Sequence, residues 1–294
     1  MSVHSCVYGA RRIYYLRTRD VRFKGCDSMT QNEKLEYLIR YLLSESERYS
    51  DIKLPETDAE RKQLLRSLMN VRPPQAVSEK FLKVQDEYLR CETSAKGITD
   101  AEKLAPVRGR MCLWKGDITT LRCGAIVNAA NSGMTGCYYP CHGCIDNAIH
   151  TYAGVQLRLR CAEMMEEQGY PEPTGSAKVT DAYNLPCEYI IHTVGPIVRG
   201  RLREADCDML RSCYLECLKA AEENGIASVA FCCISTGEFR FPNERAAEIA
   251  VDTVEEYLKN SKIERVIFNV FKGTDLSIYK RILTERGGAE IKAQ

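Results

Sequence analysis

From about residue 107 onward, short apolar runs alternate with longer amphipathic stretches, and this alternation constrains the fold more than any other feature of the chain. The runs occupy 111–114, 125–128, 189–194, 228–234 and 266–271, and the amphipathic stretches occupy 145–168, 209–224, 244–260 and 276–285. Runs this short and this apolar read as strands buried on both faces. The intervening helices then carry the chain back to begin a neighbouring parallel strand. The expected architecture is α/β, a largely parallel sheet covered on both faces, with sites at the carboxyl ends of the strands.

The first third of the chain reads differently. Thr30 with Glu33 and Thr57 with Glu60 have capping-box spacing. The first box precedes a face of Leu35, Leu38, Ile39, Leu42 and Leu43, and the second precedes Leu64, Leu65, Leu68 and Met69. A third amphipathic stretch carries Phe81, Leu82, Tyr88 and Leu89, with Pro55, Pro73 and Pro74 as punctuation. So few residues enclose little core of their own, so these helices are expected to dock on the α/β portion of the chain. The division expected is a basic tail at 1–28, disordered or preceding a true start at Met29, then a helical lobe and linker at 29–106 and the main domain at 107–294.

With 294 residues, 45% hydrophobic and 28% charged, the chain is neither disordered nor fibrous in composition. Its net charge of +1 provides no global field for nucleic acid or an anionic membrane, so phosphate recognition must be local. No apolar run approaches the roughly 18 residues of a membrane helix, and a monomeric cytoplasmic protein is expected. Fifteen cysteines scattered through the apparent strands and helices (Cys112, Cys161, Cys217, Cys232, Cys233) suggest small buried apolar residues in a reducing compartment rather than a disulfide framework. One cluster, Cys137, Cys141, His142 and Cys144, departs from that pattern.

Thiolates and imidazole at Cys137, His142 and Cys144 are the soft ligand set of Zn²⁺. Three ligands would leave an open position, the arrangement of a catalytic ion, whereas a fourth from Cys141 would close a structural site. A dithiol reading of Cys141-His142-Gly143-Cys144 also stands at this point. Elsewhere, Gly116-Asp117-Ile118-Thr119 ends one strand with an acid suited either to capping a turn or to receiving an amino group. Asn128-Ala129-Ala130-Asn131 ends another with amides that suit sugar hydroxyls or simply close a loop. Ile234-Ser235-Thr236-Gly237 offers hydroxyls and backbone N–H groups to a diphosphate. Asp146 opens a helix, where an acid complements the dipole; His150 and His192 read as packing, and Arg199, Arg201 and Arg203 as a solvated basic loop.

The order Gly-Asp-Ile-Thr, Asn-Ala-Ala-Asn, Asp-Asn-Ala-Ile-His, Ile-His-Thr-Val-Gly-Pro and Ile-Ser-Thr-Gly, from about Met111 onward, resembles the macrodomain family. The resemblance implies a three-layer α/β/α fold with a mixed, largely parallel sheet that binds ADP-ribose. It also implies that Asp117 holds the adenine amino group with Ile118 beside it. Ser235, Thr236 and Gly237 would wrap the diphosphate, with Glu238 among the contacts, while Asn131 meets the distal ribose and Phe239 packs next to it. Asp146 corresponds to an aspartate that activates water or orients that ribose. Where common hydrolytic members carry glycines, residues 132–146 here are longer and contain the potential metal ligands. This is similar to the zinc-containing subfamily, which has an N-terminal helical extension and accompanies a sirtuin-type ADP-ribosyltransferase and a lipoyl-carrier protein. The implied activity is a protein mono-ADP-ribosyl hydrolase with one Zn²⁺, in which Asn131 and Asp146 are catalytic and ADP-ribose is removed from a modified, acidic side chain. The alternatives are a non-catalytic ADP-ribose-binding module and an O-acetyl-ADP-ribose deacetylase.

Overall fold

The structure is a computed structural model that describes residues 29–285. The basic stretch 1–28 lies outside the described residues. Three helices come first. Both α1 (Gln31–Ser44) and α2 (Asp58–Val71) begin at complete capping boxes, Thr30 with Glu33 and Thr57 with Glu60. In α3 (Glu79–Lys96) the Ser78 hydroxyl accepts the Phe81 N–H. Leu35, Leu38, Ile39, Leu65, Leu68, Phe81, Tyr88 and Leu89 close a core of their own, and Val155 enters it from the rest of the chain. The small core is thus completed by docking, as its size requires.

Nine strands come after them among the described residues: β1 (Thr99–Asp100), β2 (Pro106–Arg108), β3 (Met111–Lys115), β4 (Leu121–Arg122), β5 (Ala125–Ala130), β6 (Ala177–Asp181), β7 (Tyr189–Val194), β8 (Ser228–Phe231) and β9 (Arg265–Val270). β1 pairs with β4 alone, and the others form one sheet in the order β2-β3-β9-β8-β5-β7-β6. The five inner strands are parallel and the two edge strands antiparallel. In α/β chains such a sheet is covered on both faces, which is why β5 and β7 are apolar almost without interruption. The covering helices are α4 (Ile145–Ala153), α5 (Val155–Gln168), α6 (Glu204–Glu223), α7 (Asn243–Leu258) and α8 (Gly273–Glu285). Of these, α4 lies against β5 and α5 against β6, while α6 meets β6 and β7 and packs beside α7, which packs beside α8. No described helix is long and apolar enough to cross a membrane.

Three local expectations change. The single helix read at 145–168 breaks at Gly154, whose φ of 103° and ψ of 171° belong to a region open to glycine alone. A Cβ there would lie 2.6 Å from both Gln85 Nε2 and Gln156 Oε1, in the seam between the helical lobe and the sheet domain. Helix α6 starts at Glu204, earlier than the apolar period indicated, because Asp206 accepts the Arg203 N–H at 3.0 Å and closes an extra turn. That contact also pairs the Arg203 side chain, which stays 74% exposed, so Arg199, Arg201 and Arg203 are all solvated as expected. Strand β6 escaped notice because an edge strand reading Ala-Lys-Val-Thr-Asp, with only Thr180 buried, carries little apolar signal.

Candidate active site

The parallel strands deliver the recognised motifs to one rim, the carboxyl edge of the sheet. After β3, Asp117 caps a 3-10 turn at Ile118–Thr120, and its Oδ1 accepts from the Thr119 N–H at 3.0 Å and the Thr119 hydroxyl at 2.6 Å. Its Oδ2 faces Lys96 Nζ of α3 at 3.1 Å. Burial alone would raise the Asp117 pKa, but the Thr119 bonds and the Lys96 ammonium outweigh it and hold the carboxyl below its ordinary value. Both readings of Asp117 are therefore compatible: one oxygen caps, and the other lies at the surface as an acceptor. Ile118 buries its side chain, leaving its backbone as the group it can offer a ligand.

Beyond β8 the chain turns at Ser235, which has a φ of 65°. The Ser235 hydroxyl is buried and has no hydrogen-bond partner. Thr236 Oγ1 turns back to Cys233 O at 3.0 Å. The N–H groups of Ser235, Gly237, Glu238 and Phe239 donate to no backbone acceptor among the described residues. Successive free amides beside an unpartnered hydroxyl make an anion cradle of diphosphate size. Phe239 fixes the cradle to the β7–α6 loop, its carbonyl accepting the Val198 N–H at 2.9 Å.

Strand β5 carries Asn128 and ends just before Asn131. Asn131 bridges, accepting the Gly133 N–H at 2.9 Å while its amide donates to Gly136 O at 3.1 Å and Asp146 Oδ2 at 3.2 Å. Asn128, read from the sequence as an amide for a sugar hydroxyl or for closing a loop, instead donates to Asp146 Oδ1 at 2.9 Å from a fully buried position. Its place inside a buried apolar strand accounts for this inward role. Burial raises the Asp146 pKa to about 6, against the pull of these two amides and of the Arg158 charge. Behind it, His150 Nε2 lies 3.6 Å from Asp146 Oδ1, and burial holds His150 neutral by lowering its pKa well below the usual value. His192 bonds to Asn128 and Thr180 through its two ring nitrogens, at 3.1 and 2.9 Å. His150, Cys161 and His192 gather within 4.8 Å of one another, but His192 is already committed on both sides, so this trio is packing.

The loop between β5 and α4 brings together the three expected ligands. The ligand atoms of Cys137, His142 and Cys144 all lie within 4.8 Å of one another, and Cys137 Sγ is 3.6 Å from His142 Nδ1. Tetrahedral zinc with bonds of about 2.3 Å to sulfur and 2.05 Å to nitrogen sets those two atoms about 3.6 Å apart, so this pair fits that ion. Burial and then the neighbouring Cys137 sulfur push the Cys144 thiol up to about 12, although the Asn147 N–H opposes them; a dication would relieve that penalty. Cys141 is not among the converging ligands. Its sulfur lies 3.2 Å from Ser67 Oγ and 3.4 Å from Gln63 O of α2, which sets aside both the four-ligand and the dithiol alternatives. His142 Nε2 lies 3.7 Å from Glu238 Oε1, so the metal-type loop meets the diphosphate-type loop. Two residues were missed. Lys96 reaches Asp117 from the lobe, and Phe271, 75% exposed, comes directly after Val270, whose carbonyl accepts the Gly116 N–H.

A largely parallel α/β sheet whose carboxyl rim joins an exposed acceptor, an anion cradle and a buried carboxylate defines a nucleotide-sugar binding protein. A model of the family described as Macro domain matches residues 127–250. A Treponema medium protein named Protein-ADP-ribose hydrolase is 55% identical over 261 residues, 87% of this chain and 100% of that one. A Staphylococcus aureus (strain MSSA476) protein of the same name is 49% identical, over 84% of this chain and 94% of its own. Among solved structures, the Oceanobacillus iheyensis macrodomain with ADP superposes with a TM-score of 0.58 at 33% identity, covering 63% of this chain and 96% of that chain. The Trypanosoma brucei macrodomain in complex with ADP-ribose gives 0.57 at 28%, covering 77% and 96%. The chain belongs to the macrodomain family.

Proposed function

We propose that this chain is a zinc-dependent protein-ADP-ribose hydrolase that removes ADP-ribose from an acidic side chain. The observation that carries the reading is the approach of Glu238, on the diphosphate-type loop, to His142 in the metal-type loop, with Asp146 two residues beyond Cys144. That junction is where the distal ribose and the bond to the modified protein would lie. Relatives named Protein-ADP-ribose hydrolase support the activity, and macrodomains solved with ADP and ADP-ribose support the ligand.

In this reading Asp117 Oδ2 accepts the adenine amino group and Phe271 offers its exposed ring to the adenine face. The amides of Ser235, Gly237, Glu238 and Phe239 and the Ser235 hydroxyl bind the diphosphate and so hold the anomeric carbon at the junction. Asn131 and Asn128 aim the Asp146 carboxylate, which orients a ribose hydroxyl or accepts a proton from water. Cys137, His142 and Cys144 would hold the ion, which supplies Lewis acidity at its open coordination position. The resemblance to the zinc-containing subfamily extends the proposal to a lipoyl-carrier protein modified by a sirtuin-type transferase as the substrate.

The test is release of ADP-ribose from a mono-ADP-ribosylated acidic protein, with and without chelator. Release that stops on chelation and returns with stoichiometric zinc is expected. Tight ADP-ribose binding without release from any modified protein would establish a binding module instead, and turnover confined to O-acetyl-ADP-ribose would establish a deacetylase.

A further inference from the structure

Helix α2 of the lobe presents one polar face, Gln63, Arg66, Ser67 and Asn70, at the spacing that places side chains on the same side of a helix. Arg66, Ser67 and Asn70 spend their side chains on the loop 137–147, and Gln63 meets it through its backbone carbonyl. Arg66 Nη2 donates to the His142 carbonyl at 2.9 Å, and Nε and Nη2 donate to Asn147 Oδ1 at 3.1 and 2.7 Å. Asn147 is fully buried and passes the contact on. Its side-chain amide donates to Tyr139 O at 3.0 Å, and its backbone N–H donates to Cys144 Sγ at 3.4 Å. Farther along α2, Asn70 Oδ1 accepts the Cys141 N–H at 2.9 Å. The C-terminal carbonyls of α2 receive Arg158 Nη1, whose Nη2 reaches the Cys137 carbonyl at 3.5 Å.

The loop does not hold this shape by its own preferences. Cys141 adopts a positive φ of 53°, which a side-chain-bearing residue holds only where its surroundings fix it. Its surroundings are α2, whose Asn70 accepts its N–H and whose Ser67 and Gln63 carbonyl meet its sulfur. We propose that Arg66 is a positioning residue for the metal ligands, so that the helical lobe forms part of the metal site rather than a mere cover for apolar surface. This inference rests on the reading of Cys137, His142 and Cys144 as ligands. One guanidinium holds the backbone of His142 and, through Asn147, the sulfur of Cys144, and converging donors bind an ion more tightly than wandering ones. A charge-assisted fork does this with a geometry that an ammonium cannot copy.

The experiment compares full-length wild type with Arg66→Ala, Arg66→Lys and, as a control on the same helix, Lys62→Ala, whose ammonium pairs with Glu92 at 2.7 Å away from the loop. Zinc affinity is read by competition with a chromophoric chelator, and ligand geometry by the thiolate-to-metal absorption of the cobalt-substituted proteins. Arg66→Ala should bind zinc about 10- to 100-fold more weakly, with Arg66→Lys between it and wild type. Lys62→Ala should match wild type, and ADP-ribose affinity of the metal-free proteins should be unchanged throughout. If Arg66→Ala fails to fold cooperatively, Arg66→Lys decides by the same readings. Zinc affinity within twofold of wild type in a folded Arg66 variant overturns the inference, as does an equal loss in Lys62→Ala. A wild type that binds no zinc overturns the metal reading itself, a separate outcome.

Discussion

Substituting Gly195 by alanine tests whether the turn after β8 is a diphosphate cradle. A Cβ at Gly195 would lie 2.1 Å from Ser235 Oγ and 2.9 Å from Ile234 Cγ2. An ordinary contact is about 3.5 Å, so the hydroxyl must retreat by roughly 1.4 Å, the difference between 3.5 and 2.1 Å. Rotation about χ1 moves the oxygen but leaves the methyl clash with Ile234. Ser235 already sits at a φ of 65°, so the backbone has little room to absorb the shift. Overpacking of this kind costs about 1–3 kcal/mol of stability. The larger effect falls on the ligand. The Ser235 hydroxyl is buried without a partner, and a hydrogen bond from it to a charged phosphate oxygen is worth about 1.5–3 kcal/mol. Its loss weakens ADP-ribose about ten- to a hundred-fold at 1.4 kcal/mol per decade. Calorimetry with ADP-ribose should show that fall, while adenosine, which does not reach the turn, binds as it does to wild type. Unchanged ADP-ribose affinity, or an equal loss for adenosine, would refute the reasoning.

Three further substitutions separate the roles around the rim. Cys141→Ser should retain zinc and activity, since its sulfur faces Ser67 and Gln63, whereas Cys144→Ser should lose the metal; zinc content of the purified proteins decides. Phe271→Ala removes a ring that is 75% exposed, so thermal stability should hold while ADP-ribose binding weakens by about 1–3 kcal/mol if the ring stacks on adenine. Calorimetry paired with thermal unfolding would contradict this if both stay at wild-type values or both fall.

Much of this site was legible in the sequence because its parts are local. Strand ends carry their motifs with them, and three ligands within one short loop need no long-range pairing to be suspected. The capping boxes at Thr30 and Thr57 were legible for the same reason. What stayed hidden depends on contacts across the chain. Nothing local distinguishes Arg66 or Lys96 from any other exposed cation on a helix, yet Arg66 meets Asn147 and Lys96 meets Asp117 through tertiary docking. The direction of Cys141 is likewise set by α2, since one positive-φ residue turns a C-x-x-C spacing away from convergence. The break at Gly154 was concealed by an amphipathic period that continues on either side of it.

The proposed chemistry depends most on a metal held by two sulfurs and one imidazole at the mouth of the sugar pocket. X-ray absorption at the zinc edge of the purified protein tests it directly. Two sulfur scatterers at about 2.3 Å with nitrogen or oxygen scatterers at about 2.0–2.1 Å are the expected result. A protein that purifies without zinc and binds none when it is supplied, or a shell of four sulfurs or of none, would contradict it.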